Sequence, residues 1–237
     1  MAISTNPLAW LRSVQPRRAI ALLLLLLPLT VGAQTVRDLW LSMPPSFAPY
    51  LSTSLRTQCL DFYDMHTDAQ TDNALKGKSR IDTLTSTFLA ATLSKAHTLQ
   101  MKLLPASGSG LGSALGSGSG SSSSLSSCDS VLCVVRSWDG PKRDSEVQLF
   151  DRQWKPLQAP FTFSADSFVC RPDTMSEERF SRLVALLDPI MFSVSLSPAE
   201  NVLLVKLSPV VPNPDDEKAI EQILVQRKLK WDGKTFK

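Results

Sequence analysis

The chain has 237 residues, of which 43% are hydrophobic and 20% are charged, enough apolar sequence for one folded domain or two small ones. Its formal charge of +3 comes from Arg12, Arg17 and Arg18, because the remaining 22 of its 25 basic residues equal its 22 acidic ones in number. A neutral chain without a basic block lacks the electrostatic surface that nucleic-acid binding requires, so no nucleic-acid partner is expected.

The first apolar run, at residues 19–29, indicates export. It follows the three arginines, no acidic residue occurs up to Ala33, and Val31-Gly32-Ala33 resembles a cleavage site. A spanning helix needs roughly 18 apolar residues, and Pro28 shortens this run. We predict that residues 1–33 are a signal peptide, cleaved between Ala33 and Gln34. The mature protein would lie in the periplasm or at the outer cell surface, with no transmembrane segment; a retained membrane anchor is the alternative.

All four cysteines, Cys59, Cys128, Cys133 and Cys170, follow the predicted cleavage site. An even number of cysteines in an exported protein is compatible with disulfides, and four cysteines allow three connectivities. Buried free thiols are the alternative, because Cys59 and Cys133 lie within apolar patterns. No Cys-x-x-Cys motif occurs, so a zinc site is not expected.

Apolar residues at three- and four-residue spacing predict helices, and alternating apolar residues predict strands. The predicted helices are 36–43, 51–65, 176–187 and a last one that begins within 212–216. The predicted strands are 81–84, 88–93, 99–104, 131–138, 147–150, 161–163, 190–197 and 203–207. A closing hairpin turns at Asp232-Gly233, which places Trp231 opposite Lys234 in the core.

Residues 106–127 are a low-complexity segment. Eleven of these residues are serine and six are glycine, so the segment has too little apolar surface to offset the entropy of ordering. Strands are predicted on both sides of it, which favours a disordered loop inserted into one sheet over a linker between domains.

No regular alternation of strand and helix is evident. This order of elements predicts an α+β fold: a mainly antiparallel sheet with helices packed on one face, in a single domain at 34–237.

Candidate chemical groups are few. Asp61, Asp64, His66 and Asp68 form the one polar cluster with metal-ligand character, but these residues lie where a helix is expected to end in solvent. No nucleophile elbow, HExxH pair or phosphate-binding glycine loop occurs, so neither a metal nor another cofactor is predicted.

Several segments resemble a known family when they are taken in order. They are Arg37-Asp38-Leu39-Trp40, Cys59-Leu60-Asp61-Phe62, residues 100–105, residues 187–209 and Trp231 to Phe236. They are similar to exported Bacteroidales proteins catalogued as domain of unknown function 3256. The resemblance implies a secreted or cell-envelope location in a Gram-negative bacterium, and it assigns no catalytic residue.

The leading hypothesis is therefore a non-catalytic exported domain that binds an envelope protein or a glycan, or has a structural role. The alternative is a hydrolase or metal-dependent enzyme that uses the Asp61–Asp68 cluster or Cys170. A third class, a disulfide-exchange protein, would need an exposed thiol of low pKa.

Replacing residues 107–126 with a short Gly/Ser turn should leave the melting temperature equal or slightly higher. Each doubling of loop length costs only about 0.6 kcal/mol, so removing a loop is tolerated. Thermal unfolding of both forms measures the change. If protease cleavage in this segment released two folded fragments that separate on sizing, the single-domain prediction would be wrong.

Overall fold

The computed structural model describes residues 34–106, 130–158, 161–211 and 213–237, and Gln34–Lys237 form one compact unit. The α-helices of these ranges are α1 (Val36–Ser42), α2 (Thr53–Asp64), α3 (Glu177–Ala185) and α4 (Pro214–Glu221). Short 3₁₀ turns occupy Pro45–Phe47 and Ala165–Phe168. No helix among the described residues is long and apolar enough to cross a membrane.

The helices begin where the sequence provides caps. In α1 the side chains of Thr35 and Asp38 each accept a hydrogen bond from the other's backbone N–H. Ser52, Ser176 and Asn213 accept backbone hydrogen bonds at the starts of α2, α3 and α4. These polar side chains satisfy amide groups that a helix start leaves without partners.

Ten strands form two antiparallel sheets in the described ranges. Neighbours along the chain are neighbours in the larger sheet, which runs in the order β1 to β7, whereas the smaller sheet has the order β10-β9-β8. The larger sheet contains β1 (Thr71–Asp72), β2 (Lys78–Leu84), β3 (Phe88–Ser94), β4 (His97–Pro105), β5 (Ser130–Asp139), β6 (Arg143–Phe150) and β7 (Pro156–Leu157). The smaller sheet contains β8 (Phe192–Leu196), β9 (Val202–Leu207) and β10 (Arg227–Lys230).

The Gly/Ser-rich segment connects two adjacent strands of the larger sheet. β4 and β5 pair along their whole lengths, from His97 opposite Trp138 to Pro105 opposite Ser130. The segment therefore stands between two paired strands of one sheet, and its character as a disordered insertion stays a prediction. The predicted disorder concerns residues that lie almost entirely outside the described ranges.

Side chains of the larger sheet enter two separate cores. On β5, Leu132 and Val134 belong to a core with α1 and α2, whereas Val131, Cys133 and Val135 belong to a second core. The second core contains residues of the smaller sheet and of α3 and α4, such as Val205, Leu183 and Ile220. Because successive side chains of a strand point to opposite faces, β5 is covered on both sides.

The predicted α+β class and the mainly antiparallel sheet are confirmed. The structure adds a second covered face, since helices contribute to both cores rather than to one. The alternation of apolar and polar residues correctly predicted which face of the β8–β9 hairpin is apolar. It did not predict which layer of the structure that face packs against.

Two local predictions are wrong. Residues 161–163 form no strand; the rings of Phe161 and Phe163 instead pack against the second core from an irregular segment. At the C-terminus, Trp231 pairs with Phe236 rather than lying opposite Lys234, because the turn is longer than two residues. The predicted burial of Trp231 is confirmed, and its indole N–H donates to Pro105 O at 2.6 Å.

The smaller sheet meets the larger one through its edge strand β8. Backbone N–H groups of β8 donate to side chains of the larger sheet: Val194 to Ser145 Oγ at 3.1 Å and Leu196 to Gln100 Oε1 at 2.8 Å. These polar contacts satisfy edge amides that would otherwise be available to another strand.

Lys102 joins the two sheets at a buried position. The residue is 2% exposed, and its ammonium group donates to the carbonyl oxygens of Ser197 at 2.6 Å, Pro198 at 3.2 Å and Glu200 at 2.7 Å. These carbonyls belong to the turn between β8 and β9. Burial lowers the pKa of Lys102 below its ordinary value.

Lys102→Met should lower the free energy of unfolding by about 1–3 kcal/mol, because the turn carbonyls lose a charged donor. Lys206→Met is the matched control: Lys206 is exposed on β9, so its replacement should change stability by less than about 0.5 kcal/mol. Urea unfolding of both variants measures the difference. Equal stability of the two variants would show that the lysine contributes nothing to joining the sheets.

Candidate functional site

The structure gives Asp61 and Asp64, two residues of the predicted polar cluster, ordinary surface positions on α2. The Asp64 carboxylate accepts two hydrogen bonds from Arg37, at 2.8 Å from Nη1 and 2.5 Å from Nη2. This guanidinium holds the pKa of Asp64 below its usual range. Asp61 is exposed one helical turn earlier. Asp64 is thus engaged in an ion pair of the fold.

The other two members of the cluster, His66 and Asp68, line a shallow pocket of about 340 Å³ beside β2. Arg80 and Asp82 line the same pocket and form an ion pair at 2.6 Å. His66 follows the end of α2 with a positive φ of 51°. Among the described residues, no group of three or more His, Cys, Asp or Glu side chains is arranged to hold a metal ion.

Three of the four cysteines are free thiols in the structure, and Cys128 lies outside the described residues. Cys59 and Cys133 are buried, one in each core, and burial raises the pKa of both thiols. Cys170 is exposed. Of the predicted cleavage site, Ala33 also lies outside the description, which begins at Gln34.

A cluster of aromatic and charged side chains lies at the end of the larger sheet where β4 begins and β5 ends. His97, at the start of β4, is 8% exposed, and its ring stacks on Trp138 with 5.3 Å between centroids and a 7° interplanar angle. The Tyr50 hydroxyl lies 2.5 Å from His97 Nδ1. Trp138 itself is 40% exposed, which is unusual for so large an apolar side chain. A buried polar ring thus supports an exposed indole.

Arg136 completes this cluster. Its guanidinium carbon lies 5.0 Å from the Phe47 ring centroid and 5.4 Å from that of Trp138, within cation–π range of both rings. Its Nη2 donates to Glu146 at 2.6 Å. Arg136 Nε and His97 Nε2 are both buried without a hydrogen-bond partner among the described residues. Such buried polar atoms are rare in folded proteins, because each missing hydrogen bond costs free energy.

The protonation of His97 follows from its surroundings. Burial lowers the pKa of His97 below 6.5, and the charge of Arg136 lowers that pKa further, so the ring is neutral at pH 7. Burial raises the pKa of Tyr50, which therefore keeps its hydroxyl proton. When this hydroxyl donates to Nδ1, the ring proton is on Nε2, and Nε2 is then a donor without an acceptor.

The turn between β1 and β2 lies at the same end of the sheet. Asn73 is buried, and its side-chain oxygen accepts from the amides of Leu75 and Gly77, while its Nδ2 donates to Leu93 O. The turn presents Leu75, which is 68% exposed. Lys76 has a positive φ of 58°, a conformation that side chains other than glycine and asparagine rarely adopt. Asn73 thus holds a strained and exposed turn in one conformation.

Antiparallel order brings these features together. In a seven-strand meander the turns β1–β2, β3–β4 and β5–β6 all lie at one end. Backbone hydrogen bonds connect them to their surroundings: Ala74 N donates to Tyr50 O at 3.0 Å, and Asp139 N to Ala96 O at 2.8 Å. We call this end the turn surface. Its members are Tyr50, Leu75, Lys76, Lys95, His97, Arg136 and Trp138.

Sequence reasoning missed this site because its members are far apart in the chain. His97 and Trp138 become neighbours only through the β4–β5 register, across the Gly/Ser-rich segment. Tyr50 comes from the loop before α2. The one available signal was a tryptophan near the end of a predicted strand, and such residues are usually core.

Lys76→Gly should be about 1 kcal/mol more stable than Lys76→Ala, because only glycine adopts a positive φ without strain. Both variants remove the amine, so the difference in their unfolding free energies measures the strain of the positive φ. The Lys76→Ala variant should have the same unfolding free energy as the original protein. Chemical unfolding measures all three. A glycine variant no more stable than the alanine variant would mean that the turn relaxes to a negative φ.

Comparison with solved structures identifies a similar fold. A structure described as that of a domain of an uncharacterized protein from Porphyromonas gingivalis W83 superposes with a TM-score of 0.63. The two sequences are 22% identical, and the match covers 85% of this chain and 98% of the other. At this identity the likeness concerns the fold alone. A comparison with curated proteins found no match.

The sequence profile of a family described as "Protein of unknown function (DUF3256)" matches residues 28–111 and 123–236. The matched ranges include both sheets and all four described helices, and they omit only part of the Gly/Ser-rich segment and the chain ends. The resemblance carried by the sequence motifs is thereby confirmed, and this chain belongs to the DUF3256 family.

Proposed function

We propose that this chain is an exported, non-catalytic binding domain of the cell envelope, located in the periplasm or at the outer cell surface. Export is supported by the three arginines, the apolar run and the small-residue sequence that precede Gln34. The envelope partner binds at the turn surface.

The observation that carries the binding role is the exposed Trp138 above two buried donors. Tryptophan, tyrosine and arginine are the residues most enriched among energetic hot spots of protein interfaces, and the turn surface has one of each. Trp138 contacts Arg136 and His97, and Tyr50 contacts His97. Trp138 is already held by His97 and Arg136. A side chain ordered before binding loses less entropy when a partner arrives, so the site is preorganised.

Cross-linking in intact cells tests this proposal. A photo-activatable amino acid at Lys95, on the turn surface, should give a cross-link to a defined envelope component. The same group at Glu178, exposed on the distant helix α3, serves as the control and should not. A Trp138→Ala variant should weaken the Lys95 cross-link, because the partner loses its main apolar contact.

Intact mass of the protein from the envelope fraction tests export in the same cells. A chain that begins at Gln34 is expected, and a mass that retains residues 1–33 would contradict the processing. Equal cross-linking from Lys95 and Glu178, or a chain found only in the cytosol, would contradict the proposed function.

A further inference from the structure

The chemistry of the turn surface indicates the kind of partner that it binds. Three carboxylates beside it are engaged in ion pairs: Asp72 pairs with Lys78 at 2.6 Å, Asp139 with Arg143 at 2.7 Å, and Glu146 with Arg136 at 2.6 Å. These ion pairs neutralise three acidic groups at this end of the sheet. Asp144, opposite Trp138, forms no ion pair with a described residue, and its carboxylate accepts from the backbone N–H groups of Ser145 and Phe192.

Two lysines of the same surface have no such partner. Lys76 and Lys95 lie at the tips of the β1–β2 and β3–β4 turns, are exposed, and form no ion pair with any described residue. Residues 34–237 as a whole have equal numbers of acidic and basic side chains. The positive charge is therefore local, and it favours an acidic partner by long-range attraction.

The buried donors point to the same partner chemistry. Arg136 Nε and His97 Nε2 have no acceptor within the described part of the chain, and the guanidinium and imidazole groups lie against the exposed Trp138 indole. Because the indole covers these donors, they favour oxygen atoms of a partner through their electrostatic potential rather than by direct hydrogen bonds. The surface thus combines exposed lysines, buried donors and two exposed apolar side chains, Leu75 and Trp138. This combination matches an acidic chain that also carries apolar residues.

We infer that the turn surface binds an extended acidic segment of an envelope protein, an inference that rests on the proposed function. Strands of a sheet are about 4.8 Å apart, so the tips that carry Lys76 and Lys95 are about 10 Å apart, and Leu75 is about 17 Å from Trp138. An extended chain advances about 3.3 Å per residue. The segment thus has two carboxylates about three residues apart, which face the two lysines. An apolar residue lies on each outer side of them, and these two apolar residues are about five residues apart.

Selection from a displayed library of random peptides tests this inference, with the protein purified from its host as bait. Recovered peptides should be rich in Asp and Glu, with at least two per peptide and an apolar residue between or beside them. The Lys76→Glu/Lys95→Glu variant should lose this recovery by at least about tenfold, because like charges repel across an interface. The matched control, Lys155→Glu/Lys234→Glu, changes the charge equally at exposed positions near the opposite end of the larger sheet and should retain it.

Trp138→Ala separates the apolar contribution from the charge: it should reduce recovery while the acidic preference of the remaining peptides persists. Basic or uncharged peptides, no recovered peptides, or equal recovery by both double variants would overturn the inference. Trp138-dependent binding of an uncharged oligosaccharide on a glycan array would overturn it as well. If the Lys95 cross-link forms in cells but acidic peptides are not selected, only this inference fails; if the cross-link is absent, the proposed function fails.

Discussion

The structure depends on a strand that is covered on both faces. β5 alternates Leu132 and Val134 into one core with Val131, Cys133 and Val135 into another, so neither face can be left to water. Burying apolar surface contributes about 25 cal/mol per Å², and a sheet with two apolar faces needs two covering layers to realise it. The chain provides α1 and α2 for one face, and the smaller sheet with α3 and α4 for the other.

Polar side chains determine the position of the smaller sheet against the larger one. Lys102 enters the turn between β8 and β9, where three carbonyl groups accept its hydrogen bonds, and Gln100 and Ser145 accept from the β8 edge. Apolar contacts are non-directional, so they would tolerate a shifted hairpin. Hydrogen bonds to a buried cation require one register, because an unsatisfied buried charge is costly. The two sheets are therefore held in a single arrangement.

The same meander that builds the core also builds the candidate site. Because consecutive strands are neighbours, alternate turns lie side by side and form a rigid end that Asn73 and the Tyr50–His97 contact hold in place. This end exposes Leu75 and Trp138, orders Lys76 at a positive φ, and leaves two donors without acceptors among the residues that the structure describes. Each of these features costs folding free energy, and their coincidence at one end is the observation on which the proposed binding role rests.

Local pattern determined much of this protein. Spacing of apolar residues located the four helices, alternation located the principal strands, and motif order indicated the DUF3256 family. These signals are carried by residues close in sequence, so these features could be predicted without knowledge of the tertiary structure. Tertiary structure alone decided which layer covers each face, the register at Trp231, and the contact of Tyr50, His97 and Trp138. Those outcomes depend on pairing between distant segments, and the energy of such pairing is not encoded in any single stretch of the chain.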